Sequence, residues 1–258
     1  MTENNNILKL EMLIKYIILE ECCEMINDYF RENVLYNLKI LKTPPNISFL
    51  DLLKYIEKLA DEYNIKFNSD QLKIKSLKTI TDFLTTDLEA AYSTDKASKS
   101  KKEIVYTYPG FYVTILYRFA NLLYTQKVEI LPRLISEYAH SKSGIDIHPG
   151  ATIGKSFFID HGTGVVIGET SIIGDNVTIY HGVTLGDSGS KKNTLSKKRH
   201  PTIMTGVTIY SNSTILGGDT VIGVNTIISA NSLVTKNIPP NLIVFQERKI
   251  ITKQRTNS

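Results

Sequence analysis

From about Ile147 to Val234 a branched aliphatic residue returns at every sixth position. The register runs through Ile147, Ile153 and Ile159, then Ile167, Ile173, Ile179 and Leu185, then Ile203, Ile209 and Ile215, and ends with Ile222, Ile228 and Val234. The residue after it is often small or polar, as at Gly154, Asp160, Gly168, Gly174, Gly186, Gly223 and Ser229. A period of six is neither the 3.6 of an amphipathic helix nor the alternation of an ordinary strand. It fits a chain wound as a triangular prism, with one short strand per flat face and the aliphatic residue pointing inward. That is a parallel β-helix, a fold whose signature is fixed-period self-similarity. Such a coil builds no pocket of its own. Sites form where coils of neighbouring subunits meet, so the pattern predicts an oligomer with a cleft between chains.

Upstream the periodicity is helical. Residues 7–42 carry apolar positions such as Leu10, Leu13, Ile14, Ile17 and Ile18, and Pro44 and Pro45 end that stretch. Residues 48–61 and 69–86 each read as an amphipathic helix. The Lys-rich segment Ser93–Lys102 reads as a loop or a helix end. Residues 109–125 return to helix behind Pro109, with Phe111, Ile115, Leu116, Phe119, Leu122 and Leu123 on one face. Pro132 opens a short helix to about His140, and the repeat starts after Gly144. The expected class is α+β: a helical domain over 1–143, a β-helix over 144–240, and a tail over 241–258 that closes the coil and frays at its polar end.

The repeat has three breaks. Ile159 to Ile167 is a step of eight, Ile215 to Ile222 a step of seven, and an insertion separates Leu185 from Ile203. The prism has no room for the insertion, so residues 186–202 are expected to protrude as a loop, where function commonly sits.

Composition adds modest limits. The chain has 258 residues, 42% hydrophobic and 22% charged, with a net charge of +4. These values fit one or two globular domains and an anionic ligand, and they do not by themselves indicate nucleic acid. Basic runs without interleaved aromatics give no nucleic-acid signature. Cys22 and Cys23 are adjacent in a helical stretch, which suits neither a mutual disulfide nor metal-ligand spacing and points to a reducing compartment. Asn4–Asn6, Lys9, Glu11 and Lys15 interrupt any signal-peptide pattern, and no apolar run reaches the about 18 residues of a membrane span. A cytoplasmic protein without a membrane segment is expected.

Of the five histidines, His161 has the most telling surroundings. It lies in Phe158-Ile-Asp-His-Gly-Thr-Gly164 at the first break, where a lengthened coil pushes side chains outward. An exposed imidazole beside Asp160 is a candidate general base. A base needs an acceptor on its other ring nitrogen, and Asp146 lies about one coil away. Arg199 and His200 end the protruding loop before Pro201, and a guanidinium there suits a carboxylate. On its own, Lys197-Lys198-Arg199 is better read as a solvated charge run. His148 is expected to cap the first coil, and His140 and His181 to be structural. There is no phosphate-binding Gly-rich loop and no Gly-x-Ser-x-Gly elbow. The histidines lack the regular placement of an inter-subunit metal site, so no metal is expected.

Four strings together carry a resemblance: Gly144-Ile-Asp-Ile-His-Pro149, Asp160-His-Gly-Thr-Gly-Val-Val-Ile-Gly-Glu169, Arg199-His-Pro201 and Ile215-Leu-Gly-Gly218. They resemble the serine O-acetyltransferases, a branch of the hexapeptide-repeat acyltransferases, over roughly residues 87–240. Asp87-Leu-Glu-Ala-Ala-Tyr-Ser-Thr-Asp95 and Tyr108-Pro-Gly-Phe resemble the end of that family's helical domain. The resemblance implies a left-handed β-helix and transfer of acetyl from acetyl-CoA, a co-substrate rather than a resident cofactor, to L-serine. It implies His161 as base and Asp146 as its orienting partner. Asp95 and Asp160 would hold the serine ammonium, Arg199 and His200 its carboxylate, and Glu169 would tune that pocket. A backbone N–H at Gly186 would support the oxyanion. Ser211 and Ala230 would bond the pantetheine arm, and Lys236 would meet a CoA phosphate. It further implies inhibition by L-cysteine and a homotrimer or a dimer of trimers. The chain ends Arg255-Thr-Asn-Ser258, without the terminal isoleucine by which many members dock into O-acetylserine sulfhydrylase. A complex of that kind is therefore not expected. The coil end, Ile238-Pro-Pro-Asn-Leu-Ile-Val-Phe-Gln, also departs from the Gly-x-Pro-Ala pattern of many members. The competing readings are a hexapeptide acetyltransferase for homoserine or a sugar amine, and a non-catalytic β-helix trimer that binds a partner or metal.

Overall fold

Every aliphatic residue of the six-residue register is buried, from Ile147 at 2% exposure to Val234 at 4%. The computed structural model describes residues 74–189 and 198–247. The helices expected over 7–42 and 48–61, residues 190–197 of the protruding loop and the end of the tail lie outside the described residues.

The repeat folds as a parallel solenoid with three faces. The first face stacks β1 (Asp146–Ile147), β4 (Val166–Ile167), β7 (Thr184–Gly186), β10 (Thr214–Leu216) and β13 (Leu233–Val234). The second stacks β2 (Thr152–Ile153), β5 (Ile172–Ile173), β8 (Thr202–Ile203) and β11 (Val221–Ile222). The third stacks β3 (Phe158–Asp160), β6 (Thr178–Tyr180), β9 (Thr208–Ile209), β12 (Ile227–Ile228) and β14 (Ile243–Val244). Register residues pair directly, Ile147 with Ile167, Ile167 with Leu185, and Leu185 with Ile215. The three breaks therefore leave the stacking intact and are absorbed at corners.

A second inward row sits two residues before each register position. It includes Ala151, Val165, Ser171, Val177, Val183, Val207, Ser213, Thr220, Thr226 and Ser232, all buried. These small side chains fill the narrow prism corners, and the larger Ile145 and Phe157 take the same position in the first coil, next to the helices. Buried hydroxyls such as Ser213, which donates to Ser229 O at 2.9 Å, and Thr220, which donates to Leu216 O at 2.7 Å, bond to backbone carbonyls, whereas Ser171 Oγ has no hydrogen-bond partner among the described residues.

Among the described residues four helices precede the solenoid: α1 (Ile74–Thr94), α2 (Lys101–Thr107), α3 (Pro109–Thr125) and α4 (Leu131–Ser143). The helix expected over 69–86 continues to Thr94, because Leu88 and Ala91 keep its buried face going after Leu84. α2 begins at the end of the segment expected as a loop or helix end, Ser93–Lys102, and extends over 103–107, where no element was expected. Ser100 caps it by accepting the Glu103 N–H at 3.1 Å, while the Glu103 carboxylate accepts the Lys99 N–H at 2.8 Å. Gly144 ends α4 in the left-handed conformation (φ 69°) and turns the chain into β1. Gly110 lets α3 lie against β3, since a Cβ there would be 2.3 Å from the Ile159 carbonyl oxygen. Among the described residues no helix is long and apolar enough to cross a membrane.

A buried ion pair joins helices and solenoid. Arg118 on α3 donates through Nε and Nη2 to the two Asp87 oxygens on α1, each at 3.1 Å. The same guanidinium donates to the carbonyls of Ile153 at 2.5 Å and Gly154 at 2.6 Å, and it lies 4.5 Å from the Phe83 ring centroid. Asp87 also accepts the Phe157 N–H at 2.8 Å. Burial pushes the Asp87 carboxyl up to about 6, against the pull of Arg118 and the Phe157 N–H. Asp87→Ala leaves a buried cation without its partner, and the expected cost is about 3–5 kcal/mol in urea unfolding. Asp87→Leu/Arg118→Met, which removes both charges, is expected to cost clearly less than Asp87→Ala in the same measurement.

Candidate active site

The residues singled out by the sequence fall on two different edges of the prism. The first edge joins the third face to the first. Corresponding positions there, from coil to coil, are His161, His181, Ser211 and Ala230. His161 has φ 57°, a conformation few non-glycine residues adopt, and Gly162 follows at φ 95°. Two positive-φ residues in succession take up the extra length of the step of eight. They project the His161 side chain, which is 75% exposed.

Around this imidazole lies a group of acids and rings. Nε2 of His161 is 3.7 Å from Asp160 Oδ1, an ion-pair distance but too long for a hydrogen bond. The His181 ring meets it edge-on, with centroids 5.8 Å apart. Asp95, just past α1, accepts the Ala97 N–H at 2.8 Å and a short hydrogen bond from the Tyr108 phenol. That phenol and the Ala97 N–H hold the Asp95 carboxyl below its usual range, slight burial opposes them, and His161 adds a further downward pull. Tyr180 pairs in register with Asp160 and stacks on Tyr210 at 4.8 Å. Burial raises the Tyr180 phenol, helped by Asp160, Tyr210 and Asp95. Asp146, in β1, pairs in register with Val166. No hydrogen bond or ion pair joins it to His161 within the described residues; its negative charge acts on His148.

The second edge joins the first face to the second and carries Glu169, Arg199, His200 and Lys236. Arg199 Nη2 forms a short ion pair with Glu169 Oε2, while Tyr124 of α3 donates to Glu169 Oε1 at 2.8 Å. Burial works against the Glu169 charge, but the bonds from Tyr124 and Arg199, with help from His148, hold its carboxyl below the usual range. Thr170 Oγ1 accepts the backbone N–H groups of Arg199 at 2.9 Å and His200 at 3.0 Å, which pins the returning end of the loop. The Thr170 N–H donates to His200 Nδ1 at 3.1 Å, so the neutral ring carries its proton on Nε2. Burial, then Arg199, keeps the His200 imidazolium pKa below its ordinary value. The ring occupies the space over Gly168, where a Cβ would lie 2.0 Å from His200 Cδ2. Gly186 sits in β7 opposite Leu216, and Lys236 is exposed on the last coil. His148 accepts the Gly150 N–H at 3.0 Å and meets Tyr124 edge-on.

Several participants were not singled out in the sequence for this site, among them His181, Tyr108 and Tyr124. His181 stands twenty positions after His161, the same step as Ile159 to Ile179. That step was available in the register. Nothing local marks the two tyrosines, because long-range packing of α2 and α3 brings them in. Among the described residues no three of His, Cys, Asp and Glu group as metal ligands.

No family model matches the chain. The serine acetyltransferase of Helicobacter pylori is 48% identical over 120 residues, covering 46% of this chain and 68% of that protein. The chain belongs to the serine acetyltransferase family. Serine acetyltransferase 1 of Entamoeba histolytica, solved in complex with L-cysteine, superposes with a TM-score of 0.71 at 31% identity, over 92% of this chain and 100% of that one. The Neisseria gonorrhoeae serine acetyltransferase, solved in complex with serine, gives a TM-score of 0.63 at 27% identity, over 91% of this chain and 95% of that one. The expected architecture, helices followed by a left-handed parallel β-helix, is that of these serine acetyltransferases. The chain spans about half the length of the first curated relatives it matches, 42% and 54% of two of them.

The depressed pKa values of His148 and His200 have a stability consequence. Below their unfolded value of about 6.5 the unfolded chain protonates first, so their contribution to stability falls as pH drops. Asp87 acts oppositely below about 6, so a variant comparison is needed. Between pH 7.5 and 5.5, His200→Asn is expected to lose less urea stability than the parent. Gly168→Ala is expected to lower the melting temperature by displacing the His200 ring.

Proposed function

We propose that this chain is a serine O-acetyltransferase, moving the acetyl group of acetyl-CoA to the hydroxyl of L-serine. The observation that carries the reading is an exposed His161 with Asp160 3.7 Å from its Nε2 and close enough to Asp95 to lower that carboxyl. Two carboxylates fit an ammonium group, and the imidazole fits the proton of a hydroxyl held next to it. His161 takes that proton, the serine oxygen attacks the thioester carbonyl, and the C–S bond breaks. The imidazolium then returns the proton to the departing thiolate, giving free CoA thiol and O-acetylserine. Asp146, at the start of the same coil, is assigned to orient the ring and stabilise its charged form. A backbone N–H at Gly186 is assigned to the oxyanion.

Arg199 and the Nε2–H of His200 supply the carboxylate end, with Glu169 setting the guanidinium's direction. They stand on the other edge of the prism from His161, so one chain does not close the site. A threefold assembly that sets the His161 edge of one chain against the Arg199 edge of the next completes it, which favours a homotrimer. A dimer of such trimers is compatible with it. The pantetheine arm runs along the column of Ser211 and Ala230 above His161, and Lys236 meets a phosphate. L-Cysteine keeps both charged ends of serine and is assigned as a competitive inhibitor. The serine- and cysteine-bound relatives support this reading.

The test is thiol release from acetyl-CoA with L-serine, L-homoserine or glucosamine as acceptor. His161→Ala is expected to lower kcat by about 10²–10⁴-fold. Arg199→Ala is expected to raise the serine KM by on the order of tenfold to a hundredfold, the loss of a charge-assisted bond, with little change in the acetyl-CoA KM. Release with another acceptor and not serine would move the substrate assignment. Equal rates at zero and saturating L-cysteine would remove the inhibitor.

A further inference from the structure

A carboxylate that holds an ammonium ion must be fixed in place. Asp95 lies on the turn between α1 and α2, where its N–H donates to Ala91 O at 3.0 Å and its carbonyl accepts the Ser98 N–H at 3.2 Å, bonds that anchor the backbone but do not aim the carboxylate. Both of its oxygens are nevertheless engaged, Oδ1 by the Ala97 N–H at 2.8 Å and Oδ2 by the Tyr108 phenol. We propose that Tyr108 is a positioning residue for the acceptor amino acid, its phenol holding the Asp95 carboxylate toward Asp160 and His161. This inference rests on the reading of Asp95 as an ammonium-binding residue.

Tyr108 is suited to the task because its own backbone is tied to two helices. Its N–H donates to Ile104 O at 3.0 Å, closing α2, and its carbonyl accepts the Tyr112 N–H at 3.0 Å in α3. Pro109 follows and restricts it to an extended conformation, φ −87° and ψ 112°. The phenol therefore extends from the joint between α2 and α3, and that joint packs on β3 through Gly110. β3 carries Asp160, and His161 follows it. Tyr108 thus refers Asp95 to the strand that presents the other two polar groups.

The electrostatics agree. The hydrogen bond to Asp95 is the largest cause pushing the Tyr108 phenol up to about 12, followed by burial and the charges of Asp95, Glu103 and Asp160. It stays a protonated donor throughout ordinary assay conditions. The titratable groups that face the pair are Glu103 of α2, Asp160 of β3, His161 after it and Tyr180 of β6. Glu103 is occupied by the Lys99 N–H.

Steady-state kinetics of the full chain, Tyr108→Phe, Asp95→Asn and the double variant test the proposal. The Phe ring retains the packing and removes only the hydroxyl. Tyr108→Phe is expected to raise the serine KM about tenfold, the loss of one charge-assisted bond, while the acetyl-CoA KM stays unchanged. Asp95→Asn is expected to raise the serine KM at least as far, and the double variant no further than Asp95→Asn alone. A Tyr108→Phe effect that adds in full to Asp95→Asn, that falls equally on both substrates, or that prevents folding would assign the hydroxyl to support of the turn and overturn the proposal. An unchanged serine KM in Tyr108→Phe, beside an impaired Asp95→Asn, would overturn it and leave the function standing. An unchanged serine KM in Asp95→Asn would overturn the reading of Asp95, and the proposal with it.

Discussion

The Arg118–Asp87 pair is the constraint on which the rest of the molecule depends. A solenoid coil touches only its neighbours, so its first coil needs something outside the repeat to start from. Here that support centres on one guanidinium, which binds α1 through Asp87 and the first coil through the Ile153 and Gly154 carbonyls, with Tyr117 and Asn121 of α3 also donating to first-coil carbonyls. Asp87 completes the link by accepting the Phe157 N–H. Buried ion pairs add little net stability, since desolvation offsets most of the attraction. Their better-attested use is to select one arrangement, and this pair helps to fix how the helices meet β2 and β3.

That arrangement decides where the chemistry stands. Asp95 comes from the helical region, Asp160 and His161 from the solenoid, and the three meet only because α1 and α3 are docked on β3. The same docking brings Tyr124 to Glu169 on the other edge. Both edges thus consist of a coil corner supplemented from the helical region, by Asp95 and Tyr108 at the first and by Tyr124 at the second. The corners supply backbone strain and register breaks, and the helices supply aromatic hydroxyls that orient carboxylates. Insertion and breaks disturb the corners and leave the stacked strands untouched, so variation is confined to the places where side chains face solvent.

The sequence displays these layers unequally. The six-residue register is plain because large aliphatics recur without exception at the inward position. The second inward row escapes notice because it mixes Ser, Thr, Ala and Val, types that read as surface or turn residues although Ser213 and Thr226 are fully buried. The site's histidine and acids are legible from the break at Ile159 and from the resemblance. Their distribution over two edges is not, because it depends on which corner each break occupies. α2 hides in a Lys-rich stretch whose capping by Ser100 and Glu103 is local, and the extension of α1 to Thr94 rests on burial against α3. Tyr108 and Tyr124 are silent in sequence for a simpler reason: a hydroxyl has meaning only when its acceptor is known.

Among the described residues the last coil has no such support. Leu233, Leu242, Ile243 and Phe245 are exposed there, from 44% to 74%, and β14 has a described neighbour on one side only. A quasi-one-dimensional stack held at one end loosens from the other. Opening would therefore begin at β13 and β14 and travel back toward the helices, releasing the Lys236 and Ala230 positions while His161 and its acids are still in place. The molecule has a polarity of its own: the end assigned to the acyl donor breathes, and the end assigned to the acceptor amino acid stays rigid.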